Sequence, residues 1–300
     1  MHITIHRQTL IALSTLIISI LLLLITPAHA SPVNLSIVKD YAIFSALAYE
    51  SPETIHRESS RQGFSTTHYS NIEEINISYF LLTHHKSRQQ IIAVRGTANI
   101  ENAIIDASVK LVNDSVAGVP LHEGFAYSAQ RVYQELKPLL KTDYTINTTG
   151  HSLGGAIASI LAMYLHADKY KSNMTITFGQ PKITNTTGAT RYSHLPVLRV
   201  VTPADMVPLV PPFDPLNMNN INIYWHAGTE LILNTDNTYS TLSGINSMMR
   251  AVDFTQAIPS EQNLQSHQMS YYLSLIKNKI DHAQEVPYKS MFNLFKLFGN

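Results

Sequence analysis

The chain reads as an α/β protein on two observations. Short runs rich in β-branched residues alternate with longer stretches whose apolar residues recur at helical spacing. One such strand also passes into its helix through a serine bracketed by glycines. Residues 145–149, T-I-N-T-T, suit a strand, and 153–166 suit a mostly apolar helix made of good helix formers. Between them stands G-H-S-L-G-G at 150–155, a G-x-S-x-G core with one more glycine. A turn that sharp holds its serine in a strained backbone conformation and tolerates only small neighbours two residues to either side. Gly150 and Gly154 meet that requirement. The turn lifts the Ser152 hydroxyl above the sheet edge, and the N-terminus of the following helix aims free N–H groups and partial positive charge towards it. Such a site stabilises an oxyanion, which makes Ser152 the candidate nucleophile.

Composition narrows the possibilities. Three hundred residues with ordinary apolar content can bury a sizeable core, as one large α/β domain or two smaller ones. Twenty-one basic residues balance twenty-one acidic ones, with no basic stripe, so nucleic acid is not an expected partner and a neutral or lipid substrate is compatible. No cysteine is present, which excludes disulfides and thiol catalysis. No H-E-x-x-H or cysteine-histidine cluster points to a metal. Residues 1–30 combine a short segment carrying Arg7, a mostly apolar stretch over 10–25, and Ala28 and Ala30 as an A-x-A-type site. The pattern predicts a secretory signal peptide cleaved before Ser31; an uncleaved signal anchor is the other reading, and either exports the remainder.

From the amino end, apolar spacing predicts an amphipathic helix over 35–49, and residues 50–71 read as irregular surface. Strands over 75–83 and 90–94 form a hairpin that ends in Arg95-Gly96-Thr97, where a backbone N–H and a hydroxyl could meet a ligand. In 98–118 the residues Ile100, Ala103, Ile104, Ala107 and Leu111 share one helical face. A helix over 125–137 follows, ended by Pro138, and further strands run over 174–178 and 197–202. Just past the last of these, Asp205 precedes stiffening prolines and is placed to hold a histidine; Asp214 is the alternative acid. Residues 224–231 read as two short strands around Gly228, and 234–247 as a loop. A compact apolar patch at Met291, Phe292, Leu294, Phe295, Leu297 and Phe298 reads as a terminal helix docked on the core, with a membrane interface as the alternative.

Several of these segments together resemble the class 3 lipases, a fungal-lipase-type branch of the α/β hydrolases. G-H-S-L-G-G resembles that family's nucleophile elbow, and Arg95-Gly96-Thr97 its R-G-S/T segment. His122-x-Gly124-Phe125 resembles its H-x-G-F, 178–182 its F-G-x-P-R with Lys182 for arginine, and Asp205 with Val207, Pro208 and Pro211 its D-x-V-P-x-x-P. The resemblance covers roughly 75–275 and implies one three-layer α/β-hydrolase domain over 31–300, with a mostly parallel sheet and a helical lid near 98–118. It implies a Ser152–Asp205–His267 triad in the hydrolase order, with Thr97 and the N–H of Leu153 as oxyanion donors. Asp106 would brace Thr97. His267, before a Tyr-Tyr helix start, is the expected base, His226 the alternative, and His122 structural. The implied activity is an exported, monomeric, cofactor-free hydrolase of lipid esters at an oil–water or membrane interface. A lipid-binding protein without turnover and a peptidase are the competing readings.

Overall fold

The structure, a computed structural model, describes residues 33–96, 110–211, 223–244, 246–247, 250 and 261–288. Helix α1 (Leu35–Leu47) buries Val38, Tyr41 and Phe44 as its spacing predicts, buries Leu47 as well, and ends two residues before the expected limit. Residues 50–71 are not irregular. The Ser51 side chain accepts the Thr54 N–H and Pro52 occupies the first turn, which together open helix α2 (Pro52–Arg61). Strand β1 (Ser65–Ile72) follows, alternating exposed and half-buried residues. It lies at the sheet's edge. With one neighbouring strand and one partly covered face it needs no apolar run, so its sequence looks like surface.

Strands β2 (Ile77–His84) and β3 (Gln89–Val94) form the expected antiparallel hairpin. Leu111, expected on a helical face, instead begins strand β4 (Leu111–Asn113), which pairs with β5 (Pro120–His122). The connection is a tight turn in which Asp114 Oδ1 accepts the N–H groups of Val116 and Ala117, a local bonding pattern that excludes a helix there. Helix α3 (Glu123–Leu136) is followed by β6 (Thr145–His151) and α4 (Leu153–Ala167). Then come β7 (Thr175–Phe178), β8 (Thr184–Asn185), α5 (Thr186–Arg191) and β9 (Val197–Val201). The chain continues through β10 (Tyr224–Trp225), β11 (Thr229–Leu233), β12 (Thr238–Leu242), α6 (Glu261–His267), α7 (Met269–Lys279) and β13 (Gln284–Glu285). The segment expected as a loop over 234–247 therefore contains a strand. β12 is polar because its hydroxyls find partners in the fold, Ser240 donating to the Val286 carbonyl at 2.7 Å.

Nine strands make one sheet in the order β1-β2-β3-β6-β7-β9-β11-β12-β13, and β10-β8-β5-β4 form a second, smaller one. From β3 to β11 every pairing is parallel, with antiparallel strands towards both edges. Adjacent threonines of β6 report the layers on either side. The Thr148 hydroxyl donates to the Ala158 carbonyl of α4, while the Thr149 hydroxyl meets that of Ser45 in α1. Successive strand residues point to opposite faces, so α4 and α1 cover opposite sides of the sheet. The described residues from Leu35 onward belong to one compact unit. Residues 1–30 and the apolar patch at 291–298 lie outside the described residues. Among the described residues no helix is long and apolar enough to cross a membrane.

A cluster of charged side chains lies in the core. Glu230 accepts from Arg250 Nε at 2.6 Å and lies 3.7 Å from Arg199, with all three side chains buried. Burial works to raise the Glu230 carboxyl, but the two guanidinium charges and the Ser247 hydroxyl outweigh it and hold the carboxyl below its usual range.

Candidate active site

Ser152 caps α4 with φ +58° and ψ −128°, a conformation that side chains other than glycine rarely adopt. The glycines flanking it are sterically required. A Cβ on Gly150 would lie 2.4 Å from the Gly154 carbonyl, and one on Gly154 would lie 2.2 Å from the Val94 oxygen. These are backbone-to-backbone approaches, so no side-chain movement relieves them. The Ser152 N–H donates to Phe178 O at 2.8 Å, which ties the elbow to the end of β7. Leu153 is the first residue of α4, where the N–H has no partner within the helix. Gly96 passes close by, its Cβ position 3.0 Å from Ser152 Cβ, so the Arg95-Gly96 turn reaches the serine. Thr97, Asp106, Asp214 and residues 98–109 of the lid expected over 98–118 lie outside the described residues.

Asp205 and His267 meet although 62 residues separate them, with His267 Nδ1 2.8 Å from Asp205 Oδ2. Both are buried. Asp205 Oδ1 accepts the Val207 N–H at 2.9 Å, and Oδ2 also accepts the Tyr272 hydroxyl at 2.5 Å. Burial, and then the Asp205 charge, push that phenol well above its ordinary value and keep it a donor. With Nδ1–H given to the carboxylate, the other ring nitrogen of a neutral imidazole presents a lone pair. His267 Nε2 is buried and has no hydrogen-bond partner among the described residues. The ring lies beside the elbow, because both neighbours of the Ser152–Phe178 link touch it. A Cβ on Gly179 would lie 2.7 Å from His267 Cε1, and the His151 ring centroid lies 4.6 Å from that of His267.

Two further residues fix this arrangement. His151 Nε2 lies 2.6 Å from the His267 carbonyl oxygen, which can only accept, so Nε2 carries the proton. Its Nδ1 then accepts the Tyr49 hydroxyl at 2.7 Å. Burial, and then the neighbouring His267, hold His151 well below the usual histidine range, and burial pushes Tyr49 up to about 12. Sequence reasoning assigned no site role to Tyr49, His151 or Tyr272. His151 was visible inside the elbow motif, and Tyr272 inside the Tyr-Tyr helix start.

The alternative base takes a different position. His226 Nε2 donates to the Pro208 carbonyl at 2.6 Å, and it is His267 that meets Asp205. His122 is structural as expected, capping α3 by accepting the Phe125 N–H and stacking on the Phe125 ring at 3.8 Å. Lys182 is buried and donates to the Pro211 carbonyl at 2.8 Å. Burial, and then the Arg199 and Arg250 charges, bring its ammonium down to about 7. Among the described residues no three or more histidine, cysteine or acidic side chains gather to hold a metal.

A largely parallel sheet covered on both faces, a strained serine at a strand-to-helix turn and a buried Asp–His pair arriving later in the chain define the α/β-hydrolase class. Solved lipases share the fold. The mono- and diacylglycerol lipase of Aspergillus oryzae superposes with a TM-score of 0.65 at 21% identity, covering 78% of this chain and 95% of that one. The lipase of Rhizopus microsporus var. chinensis gives 0.58 at 24% identity over 68% and 75%. Within the class, residues 91–214 match the family described as Lipase (class 3). A lipase of Rhizomucor miehei is 30% identical over 196 residues, 60% of this chain and 51% of that protein. A secreted mono- and diacylglycerol lipase of Fusarium solani is 31% identical over 116 residues, 36% and 34% of the two. The chain thus spans about a third to a half of the length of the curated relatives it matches.

Proposed function

We propose that the chain is an exported carboxylic-ester hydrolase acting on lipid esters, either acylglycerols or phospholipids at the sn-1 ester. The observation that carries the reading is the buried His267–Asp205 pair at 2.8 Å, its outer nitrogen unengaged, beside a serine held at φ +58°. His267 removes the Ser152 proton as the hydroxyl attacks the ester carbonyl. Asp205 holds the imidazole in the required tautomer and stabilises the imidazolium that forms. The N–H of Leu153 and Thr97 hold the tetrahedral oxyanion, each donor contributing about 3–4 kcal/mol in the transition state. Protonated by His267, the alcohol leaves an acyl-enzyme, and water activated by the same histidine releases the fatty acid. This cycle uses no cofactor. The substrate class is supported by relatives named as lipases, and export by the signal pattern over 1–30 and a relative named as secreted.

The test is fatty-acid release from emulsified triacylglycerol and from phospholipid by protein starting at Ser31, with Ser152→Ala as control. Release that falls by on the order of 10⁴ or more in the variant supports the mechanism. Equal release by both proteins sinks it. Absence of fluorophosphonate labelling at Ser152 would favour a lipid binder without turnover.

A further inference from the structure

Helix α4 has a second feature at its far end, about 20 Å from Ser152 along fifteen residues. His166 stands in its last turn, and His194 in the turn after α5. Both side chains are exposed. Their Nε2 atoms lie 3.2 Å apart, with ring centroids at 4.6 Å and planes inclined by 59°. A tetrahedral zinc ion with Zn–N bonds of about 2.0–2.1 Å separates two ligand nitrogens by roughly 3.3–3.4 Å. A square-planar copper(II) ion with bonds of about 2.0 Å separates them by roughly 2.8–2.9 Å. The observed spacing falls between those two bites.

The rings are also supported. His194 stacks on Tyr192 at 6.3 Å and 28°, and His166 meets the same ring edge-on at 6.1 Å and 85°. Tyr192 is buried, and its hydroxyl donates to the Ala117 carbonyl at 2.6 Å. One anchored aromatic ring therefore orients both imidazoles, which lowers the ordering cost of chelation. The last carbonyls of α4 add partial negative charge where a cation would sit.

We propose that His166 and His194 form a bidentate site for a divalent transition-metal ion, copper(II) ahead of zinc(II), with water in the remaining positions. The ordering follows the general preference of imidazole sites across the first-row metals. A bound ion would clamp the end of α4 to the turn after α5, so occupancy stabilises the fold without entering the ester chemistry.

The test uses the chain from Ser31, stripped with a chelator and titrated with copper(II) chloride. Paramagnetic resonance reads nitrogen coupling, and thermal melting reads stabilisation. The variants are His166→Ala, His194→Ala, the double variant and His282→Ala as an exposed control, with glutamine replacements if an alanine variant melts early without metal. The expected result is nitrogen coupling from two imidazoles and a rise in melting temperature on addition of metal. Either single variant weakens this binding at least tenfold, the double variant no further, and the control leaves it intact. Wild-type binding in the single variants, or losses that simply add in the double variant, would overturn the proposal, because a chelate needs both nitrogens together.

Discussion

Lowering the pH from about 7 to about 5 tests most directly the two histidines that burial and neighbouring charges hold well below the ordinary range, His151 and His226. His151 is held well below its ordinary range by burial and then by His267, and His226 by burial and then by the Arg199 and Lys182 charges. In the unfolded chain each regains an ordinary value near 6.5 and takes up a proton that the folded form refuses. The unfolded state therefore binds more protons in this window, so stability falls as pH drops through the unfolded value and onward to the depressed folded one. For a histidine that stays neutral in the fold throughout, the loss between about pH 7 and about pH 5 reaches an upper limit of about 2 kcal/mol, and roughly 4 kcal/mol for the pair. A domain of this kind commonly has about 5–15 kcal/mol in total. The other shifted core groups act in separate windows. Glu230, held below its ordinary value, loses its contribution only as pH falls through the carboxylate range. Lys182, near 7 in the fold against an ordinary 10.5, makes stability rise with pH above neutrality and is protonated in both states below it. Urea unfolding midpoints at a constant m value, measured across the acid window, give the slope. The unfolded state should take up extra protons at about pH 5.5, to a ceiling of about two, and fewer by up to about one in His151→Gln. An uptake below about half a proton, or an unchanged slope in that variant, would refute the reasoning.

The elbow, the acid and the buried ion group each give a further expectation. Gly154→Ala places a methyl 2.2 Å from the Val94 oxygen. That forces β3 and α4 apart, and the loss should exceed the roughly 1–3 kcal/mol of ordinary overpacking; an unchanged thermal melt would contradict the steric account. Tyr272→Phe removes a donor to the enclosed Asp205 and should cost about 1.5–3 kcal/mol, with ester turnover down roughly tenfold at similar KM. Normal turnover in that variant would show that the phenol does not hold the acid in place. Arg250→Met leaves Glu230 with its more distant arginine alone and should cost about 3–5 kcal/mol in chemical denaturation, whereas a neutral result would mean that Arg199 suffices.

The parts of this fold that were legible in the sequence are those whose cause is local. The need for glycine at 150 comes from a contact within five residues, with the Gly154 carbonyl, and so could be read without a fold, whereas Gly154 itself is crowded by the Val94 oxygen of β3. The β2–β3 hairpin and the apolar strands over 174–178 and 197–202 were legible for a similar reason, since central strands carry their burial in their own composition. β1 and β12 were not, because their polar side chains become acceptable only through distant partners. Ser70 of β1 donates to Glu135 at 2.9 Å, and Ser240 of β12 to the Val286 carbonyl.

For the candidate site, the sequence by itself determined the elbow and named Asp205 and His267 through motif context. The tertiary structure alone decided that His267, out of fourteen histidines, meets that carboxylate. It also decided that Tyr272 shares the acid and that Tyr49 and His151 hold the His267 carbonyl. Those contacts join the end of α1, the elbow and α7 across as many as 116 residues of chain. Side-chain types carry no record of such separations; the order of strands in the sheet sets them, and with them which buried polar atoms must satisfy one another.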